Sequence, residues 1–128
     1  WVDERFVDMM YRISAEAGCD IVQCDFCNVI DDRMYKDKRE GNYTVYSPKQ
    51  FSTAAYTLLS WKCNVAWNKL YRATLFEGIR YPHGKIHEDE FTTYKLIWKA
   101  NNIAVTNTKL YFYFFHIKRP RIWEVFLL

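Results

Sequence analysis

Apolar residues recur along the first third of the chain at two different periods. Between Asp3 and Ala17, Phe6, Met9, Met10, Ile13 and Ala17 return at the spacing of one helix face, which predicts an amphipathic helix. Asp3 can cap its start and Gly18 suits its end. Across Asp20–Val29 the pattern changes to a short run of Ile, Val, Cys and Phe, and its β-branched and aromatic content predicts a strand. The polar stretch from Asp31 to Asn42 reads as a loop or hairpin turn, followed by a second short strand at Tyr43–Tyr46.

Ser47–Pro48–Lys49–Gln50 announces a helix three times over, through an N-cap serine, a proline at the first helical position and a glutamine that completes a capping box. Phe51, Ala54, Ala55, Leu58 and Leu59 supply its buried face. Further on, the pattern predicts a short helix over Leu70–Phe76 closed by Gly78, a loop at Tyr81–Gly84, and a helix from Glu88 to Ala100 whose apolar positions are Phe91, Tyr94, Leu96, Ile97 and Trp98. Two strands, Ile103–Thr106 and Lys109–Phe115, follow, and the tail from Ile117 carries no readable pattern. The fold class is mixed α/β, with helices packed on a small mixed sheet and neither repeat nor linker. The glycines, Gly18, Gly41, Gly78 and Gly84, make no Gly-rich phosphate loop, so a nucleotide is expected to be held elsewhere.

Composition narrows the partners. The 128 residues make one domain, and half of them are apolar. That suffices for a core, since a chain of about this size buries roughly two-thirds of its unfolded surface. Ten Tyr, nine Phe and five Trp are more rings than one small interior takes in, so some are expected to line a binding cleft or meet a neighbouring domain. The formal charge of +3 is spread among fifteen acids, and no basic stripe marks a nucleic-acid binder. The short basic runs Lys36–Arg39 and Lys118–Arg121 read as a solvated loop and tail, with peripheral attraction to an anionic membrane surface as the alternative. No apolar stretch reaches the length that spans a bilayer. The opening Trp1–Arg5 is acidic rather than leader-like, and a portion of a longer, cytoplasmic protein is expected.

Cys19, Cys24, Cys27 and Cys63 follow a C-x4-C-x2-C spacing with a distant fourth, which matches a plant-type iron–sulfur pattern. The intervening residues read as a strand, in which Cys24 and Cys27 project to opposite faces and cannot share a metal. Buried, reduced thiols are the expectation, and a reducing cytoplasm fits them.

The densest chemistry lies at His87–Glu88–Asp89–Glu90–Phe91. Acids at a helix start complement its dipole. Three in a row behind a histidine exceed what capping needs, and crowded carboxylates hold protons more tightly, which is the property a general base uses. His87 reads as a helix-entry residue or a ligand, and Trp67 as a core ring or a sugar-stacking platform.

Three segments in order, Val65–Ala66–Trp67–Asn68–Lys69–Leu70–Tyr71–Arg72, Leu75–Phe76–Glu77–Gly78–Ile79–Arg80–Tyr81–Pro82 and Gly84–Lys85–Ile86–His87–Glu88–Asp89–Glu90–Phe91, resemble the acceptor-side block of bacterial family 2 glycosyltransferases. Gly18–Phe26 resembles the family's strand after its first acceptor-side helix, and Tyr111–Phe112–Tyr113 resembles its late tyrosine-rich strand. The resemblance covers residues 1–116, with 117–128 a tail outside it. It implies an incomplete C-terminal part of a GT-A glycosyltransferase fold. The implied activity is inverting transfer of a sugar from a nucleotide-sugar donor to a glycan or lipid-linked acceptor, in surface polysaccharide synthesis at the inner face of the membrane.

By the same resemblance Asp89 matches the general base, Glu88 orients it, and Glu90 is structural. Trp67, Asn68 and Lys69 would contact the acceptor, the last two also the diphosphate. The family's divalent metal, Mn or Mg, is held by an aspartate-x-aspartate pair that has no counterpart here, so its ligands are expected mostly outside this chain. After Tyr113 the family continues with arginines, whereas this chain has Phe114, Phe115 and His116, and His116 would stand in as a polar or metal-contacting residue. A chain lacking the nucleotide half is expected to be inactive alone and to self-associate through an exposed sheet edge. The alternative function is a non-catalytic, aromatic-rich module that binds protein or glycan.

Overall fold

The structure is a computed structural model that describes residues 1–29, 37–55 and 60–114, and every structural statement below concerns these. Helix α1 (Phe6–Ala17) buries Phe6, Met9, Met10 and Ile13 along one stripe, as the periodicity predicts. It ends at Gly18, which takes the left-handed conformation at φ 60°. The next amide, Cys19 N, donates to Ser14 O. The start differs from expectation. Asp3 does not cap the helix; its carboxylate accepts from Arg5 N and the Arg5 guanidinium, and Arg5 occupies the N-cap position.

Strand β1 (Ile21–Val29) is central. It pairs parallel with β4 (Ile103–Phe114) and antiparallel with the three-residue β3 (Lys69–Tyr71), while β2 (Tyr43–Tyr46) pairs antiparallel with the first half of β4. The order β2-β4-β1-β3 is the small mixed sheet expected of the sequence, with β2 and β3 at its edges. Trp1–Asp3 also lie against β4, where Asp3 N donates to Leu110 O and Phe112 N to Trp1 O.

Each face of the sheet carries its own core. On one, α1 packs Phe6, Met9, Met10 and Ile13 against Val22, Cys24, Ala104 and Leu110. On the other, α2 (Pro48–Ala54) and α3 (Thr93–Lys99) bring Phe51, Leu96 and Ile97 onto Ile21, Cys63, Leu75 and Ile103. Both faces of β1 are therefore covered, which is why adjacent apolar residues such as Ile21 and Val22 are both buried. The capping box at α2 forms as predicted: Ser47 Oγ accepts from Gln50 N, and Gln50 Oε1 accepts from Ser47 N. Leu58 and Leu59 lie outside the described residues. Gly41, at φ 82°, fits where a Cβ would stand 2.9 Å from Met9 Sδ.

Three predicted elements differ. Leu70–Phe76 is not one helix but the end of β3 followed by a 3-10 turn at Ala73–Phe76, because Leu70 and Tyr71 pair with β1. The helix expected over Glu88–Ala100 is only α3. The backbone before it turns through left-handed residues at Gly84 and His87, so Phe91 sits on a turn rather than on the helix. Tyr94 and Trp98, read as apolar-face positions, are 49% and 59% exposed. Finally, Ile103–Thr106 and the described part of Lys109–Phe115 are halves of one strand, Ile103–Phe114. Between Val105 and Lys109, β4 spans more residues than β1 does between Gln23 and Asp25, and this bulge at Thr106–Thr108 hides the continuity.

Two buried carboxylates clasp the fold. Asp20 accepts from Arg72 Nε at 2.6 Å and from Asn101 N and Nδ2. Burial pushes its carboxyl up, but the Asn101 and Arg72 donors outweigh it and hold it below the usual range. Asp37 accepts from Arg39 Nε, Arg39 N and Lys109 N, tying the approach to β2 onto β4. The Arg39 guanidinium, against the effect of burial, holds the Asp37 carboxyl well below the carboxylate range. Lys36 and Lys118–Arg121, members of the two basic runs, lie outside the described residues, as do Phe115, His116 and the tail.

Candidate active site

The segment between Lys62 and Arg72 is held from beneath by two buried polar side chains. Lys69 is 6% exposed, and its Nζ donates to Val65 O at 2.6 Å, Asn68 Oδ1 at 2.8 Å and Lys62 O at 3.1 Å. Asn68 is fully buried; its Nδ2 donates to Cys24 O at 3.1 Å and Lys62 O at 3.3 Å. Burial lowers the Lys69 ammonium to about 7, opposed by the Cys63 and Cys24 thiols and the Asp89 carboxylate. These two residues are expected from sequence to face the acceptor. Here every donor they own is committed inward, and they act as the strut of a loop.

That strut fixes Trp67, which is half-buried. Its ring lies 4.3 Å from Tyr111 at 33°, 5.5 Å from Tyr113 at 27°, and meets Phe26 edge-on at 5.0 Å. Tyr113 is 42% exposed. The two readings of Trp67 therefore meet in one residue, since it packs on other rings within a cluster that reaches the surface. Tyr111 and Phe26 enter the site through strand pairing, because Phe26 and Tyr111 are register partners across β1 and β4.

The acid run stands on a turn. His87 has φ 57°, uncommon for a residue with a side chain and the kind of local strain that clusters at functional sites. His87 O accepts from Glu90 N, and Asp89 O accepts from Thr92 N at 3.1 Å and Thr93 N at 2.9 Å, anchoring the turn to the start of α3. Asp89 Oδ1 accepts from Glu90 N at 3.0 Å. Asp89 is half-buried and Glu88 and Glu90 are exposed; among the described residues none of the three makes an ion pair. Glu88 makes no hydrogen bond to Asp89.

The turn is joined to Tyr71 by a chain of contacts: Asp89 O accepts from Thr93 N, Thr93 Oγ1 lies 3.4 Å from the Tyr81 hydroxyl, and the Phe76 ring packs against both Tyr81 and Tyr71. Burial raises the Tyr71 phenol, and the neighbouring Tyr81 and Asp89 add to that effect. The turn and the strutted loop, distant in sequence, are thus connected through Tyr71, whose hydroxyl donates to Ala66 O beside Trp67.

The donor set for a divalent metal does not assemble here. Among the described residues no group of three His, Cys, Asp or Glu side chains converges, and Asp3, Asp20, Asp25 and Asp37 are committed to arginine, lysine or backbone donors. Cys19, Cys24 and Cys63 are buried and Cys27 partly so, and burial raises the first three thiols, Cys24 to about 12.

No family model matches the chain. It is 25% identical over 126 residues to the glycosyltransferase GlyA of Streptococcus pneumoniae, a match covering 88% of this chain and 17% of that protein. Two crystal structures of S. aureus TarS 1–349 superpose on it with TM-scores of 0.64 and 0.66 at 19% identity, covering 89% and 93% of this chain and 33% of theirs. The chain has a glycosyltransferase fold. It corresponds to about one-third of the TarS structures and about one-sixth of GlyA. The second TarS structure is a complex with UDP-GlcNAc. Among the described residues no helix is long and apolar enough to cross a membrane.

Sequence reasoning proposed Asp89 and Glu88 for the chemistry and Trp67 for the acceptor; Asp89 and Trp67 are half-buried and Glu88 is exposed. It did not foresee the inward commitment of Asn68 and Lys69 or the edge-on contact of Phe26 with Trp67. The available signal was a polar Asn–Lys pair set between Trp67 and Leu70–Tyr71, where apolar neighbours on both sides favour burial of the stems.

Proposed function

We propose that this chain is the acceptor-side portion of an inverting, family 2 glycosyltransferase. The observation that carries the reading is the chain of contacts from the Asp89 turn through Thr93, Tyr81 and Phe76 to Tyr71 and the Trp67 loop, with Asp89 free of any ion pair among the described residues. In this reading an acceptor hydroxyl lies over the Trp67–Tyr113 rings and against Asp89. The hydroxyl oxygen attacks the anomeric carbon of a nucleotide-sugar, the bond from that carbon to the diphosphate oxygen breaks, and Asp89 takes the hydroxyl proton. General-base assistance of this kind contributes about 10²–10⁴-fold. Glu88 sets the local field, and the Asn68–Lys69 strut holds the platform in place. Among the described residues no group of His, Cys, Asp or Glu side chains converges to hold a divalent metal.

The donor class is a nucleotide-sugar, for which the UDP-GlcNAc bound by TarS is the supporting precedent. The acceptor is a glycan or lipid-linked glycan of a surface polysaccharide, and the enzyme works at the cytoplasmic face of the membrane. The test is to incubate the complete enzyme with a panel of nucleotide-sugars and glycan acceptors and to follow nucleoside diphosphate release beside glycoside formation. Stoichiometric transfer with inversion at the anomeric carbon is the expected result, and the isolated chain is expected to be inactive. Release without transfer, or transfer with retention, would refute the reading.

A further inference from the structure

Thr92 stands at the N-cap position of α3 and Thr93 is its first residue, and both are fully buried. An N-cap threonine ordinarily turns its hydroxyl onto the free amides of the first helical turn. Thr92 makes no such bond; its Oγ1 reaches instead toward Arg80 O, a long contact of 3.5 Å. Thr93 Oγ1 lies 3.4 Å from the Tyr81 hydroxyl. Both hydroxyls therefore address the same short stretch of loop. Their amides serve the turn before the helix, where Asp89 O accepts from Thr92 N at 3.1 Å and from Thr93 N at 2.9 Å. Valine would fill the space of either threonine with no polar atom to satisfy, so these contacts, rather than packing, account for hydroxyls at buried positions.

One pair of residues thus holds the candidate base by its amides and the Arg80–Tyr81 loop by its hydroxyls. Tyr81 carries the connection on. Its ring lies 6.3 Å from that of Phe76, which meets Tyr71 edge-on at 5.6 Å, and the Tyr71 hydroxyl donates to Ala66 O beside Trp67. The left-handed His87 at the head of the turn needs such anchoring, since strained backbone persists only where its surroundings over-determine it. Asp89 Oδ1 accepts from Glu90 N, and Oδ2 has no partner among the described residues. The clamp on the Asp89 backbone and the Glu90 amide together set where that open oxygen stands.

We propose that Tyr81 and Thr93 are positioning residues for the transfer: the contact between their hydroxyls holds the Asp89 carboxylate in place relative to the Trp67 platform, and neither residue touches substrate. The proposal rests on the glycosyltransferase reading and adds to it what keeps the base within reach of the acceptor hydroxyl. That reach is narrow, about 2.6–3.2 Å between heavy atoms. A displacement of about 1 Å costs roughly 10²-fold in rate. A single hydroxyl contact adds little to folding by comparison. Loss of the contact is therefore read in turnover before it is read in stability.

In the complete enzyme, kcat, acceptor KM and the urea midpoint should be measured for Tyr81→Phe, Thr93→Val, Thr93→Ser and the Tyr81→Phe/Thr93→Val double variant, in the wild-type and the Asp89→Asn backgrounds. Tyr81→Phe and Thr93→Val should each lower kcat by about 10- to 100-fold, with acceptor KM within about twofold of wild type. The double variant should be no worse than either single one, because both remove the same contact. Thr93→Ser, which keeps the hydroxyl, should turn over within about threefold of wild type. In the Asp89→Asn background none of these substitutions should lower kcat further, since the pair acts through Asp89. If Thr93→Val does not fold, Tyr81→Phe, which keeps the ring, and Thr93→Ser decide. Single variants with wild-type kcat, losses that add in the double variant or on top of Asp89→Asn, or losses that follow the urea midpoint would overturn the positioning role. Where Asp89→Asn still abolishes transfer, the transferase reading survives that outcome. An Asp89→Asn enzyme with wild-type kcat would refute the reading itself, and the positioning pair with it.

Discussion

The acids of this chain fall into two populations. Asp20 and Asp37 are buried, each accepts from several donors, and each is held below the usual carboxylate range by arginine and backbone or amide N–H groups. Glu88, Asp89 and Glu90 stand on a strained turn with no ion pair among the described residues. The first population has its lone pairs filled by the fold and cannot take up a substrate proton without undoing a clasp. The second has spare accepting capacity, and Asp89 combines it with partial burial. Stability and chemistry are thus divided between acids that the sequence alone does not separate.

Several substitutions test that division, beginning with the largest effect. Lys69→Met strands the Val65 O and Asn68 Oδ1 acceptors, while Lys62 O keeps its bond from Asn68 Nδ2, at about 1–3 kcal/mol for each acceptor left buried and unpaired. A marked fall in the urea midpoint and a changed Trp67 fluorescence spectrum are expected; an unchanged midpoint would break the strut argument. Asp37→Asn should cost about 1.5–3 kcal/mol, the range for hydrogen bonds to a charged group, by the same measurement.

The pH dependence of that effect has a definite sign. The folded pKa of Asp37 lies below its unfolded value of about 3.9, so its contribution is fully present above that pH and is lost as pH falls through the folded value. Wild type should therefore lose stability more steeply than Asp37→Asn below about pH 4, read by urea unfolding at a series of pH values. Equal slopes would contradict the clasp. At the small end, Glu90→Gln should change stability by no more than about 0.5 kcal/mol, as surface substitutions usually do. A larger loss in chemical unfolding would move Glu90 into the structural population.

Much of the scaffold was legible because local signals and tertiary packing agree. Phe6, Met9, Met10 and Ile13 face the core as their period says, Gly18 closes α1, and Ser47 with Gln50 starts α2. The misreadings occur where pairing or backbone conformation overrides pattern. Leu70 and Tyr71 have helical neighbours in sequence but pair with β1, a long-range contact that local propensity does not record. The helix that the run from Glu88 to Ala100 predicts begins only at Thr93, because Glu88–Thr92 continue the turn that follows the left-handed His87. Asn107 looks like a turn because it is one residue of a bulge inside a continuous strand. At the candidate site, motif order singles out Asp89 and Trp67, and both are half-buried. Asn68 and Lys69 carry polar groups that usually face solvent, and only the three-dimensional path of the loop turns them inward.

The central claim is that Asp89 is free to do chemistry while Asp37 is not. The most direct measurement is to make Asp89→Asn and Asp37→Asn in the complete enzyme and to compare turnover at saturating donor and acceptor with the urea midpoint of each. Asp89→Asn should lose about 10²–10⁴-fold in kcat with its midpoint unchanged, while Asp37→Asn should lose stability and keep its turnover where folded. An Asp89→Asn enzyme that turns over within a few-fold of wild type, or that loses turnover only together with its fold, would contradict the account.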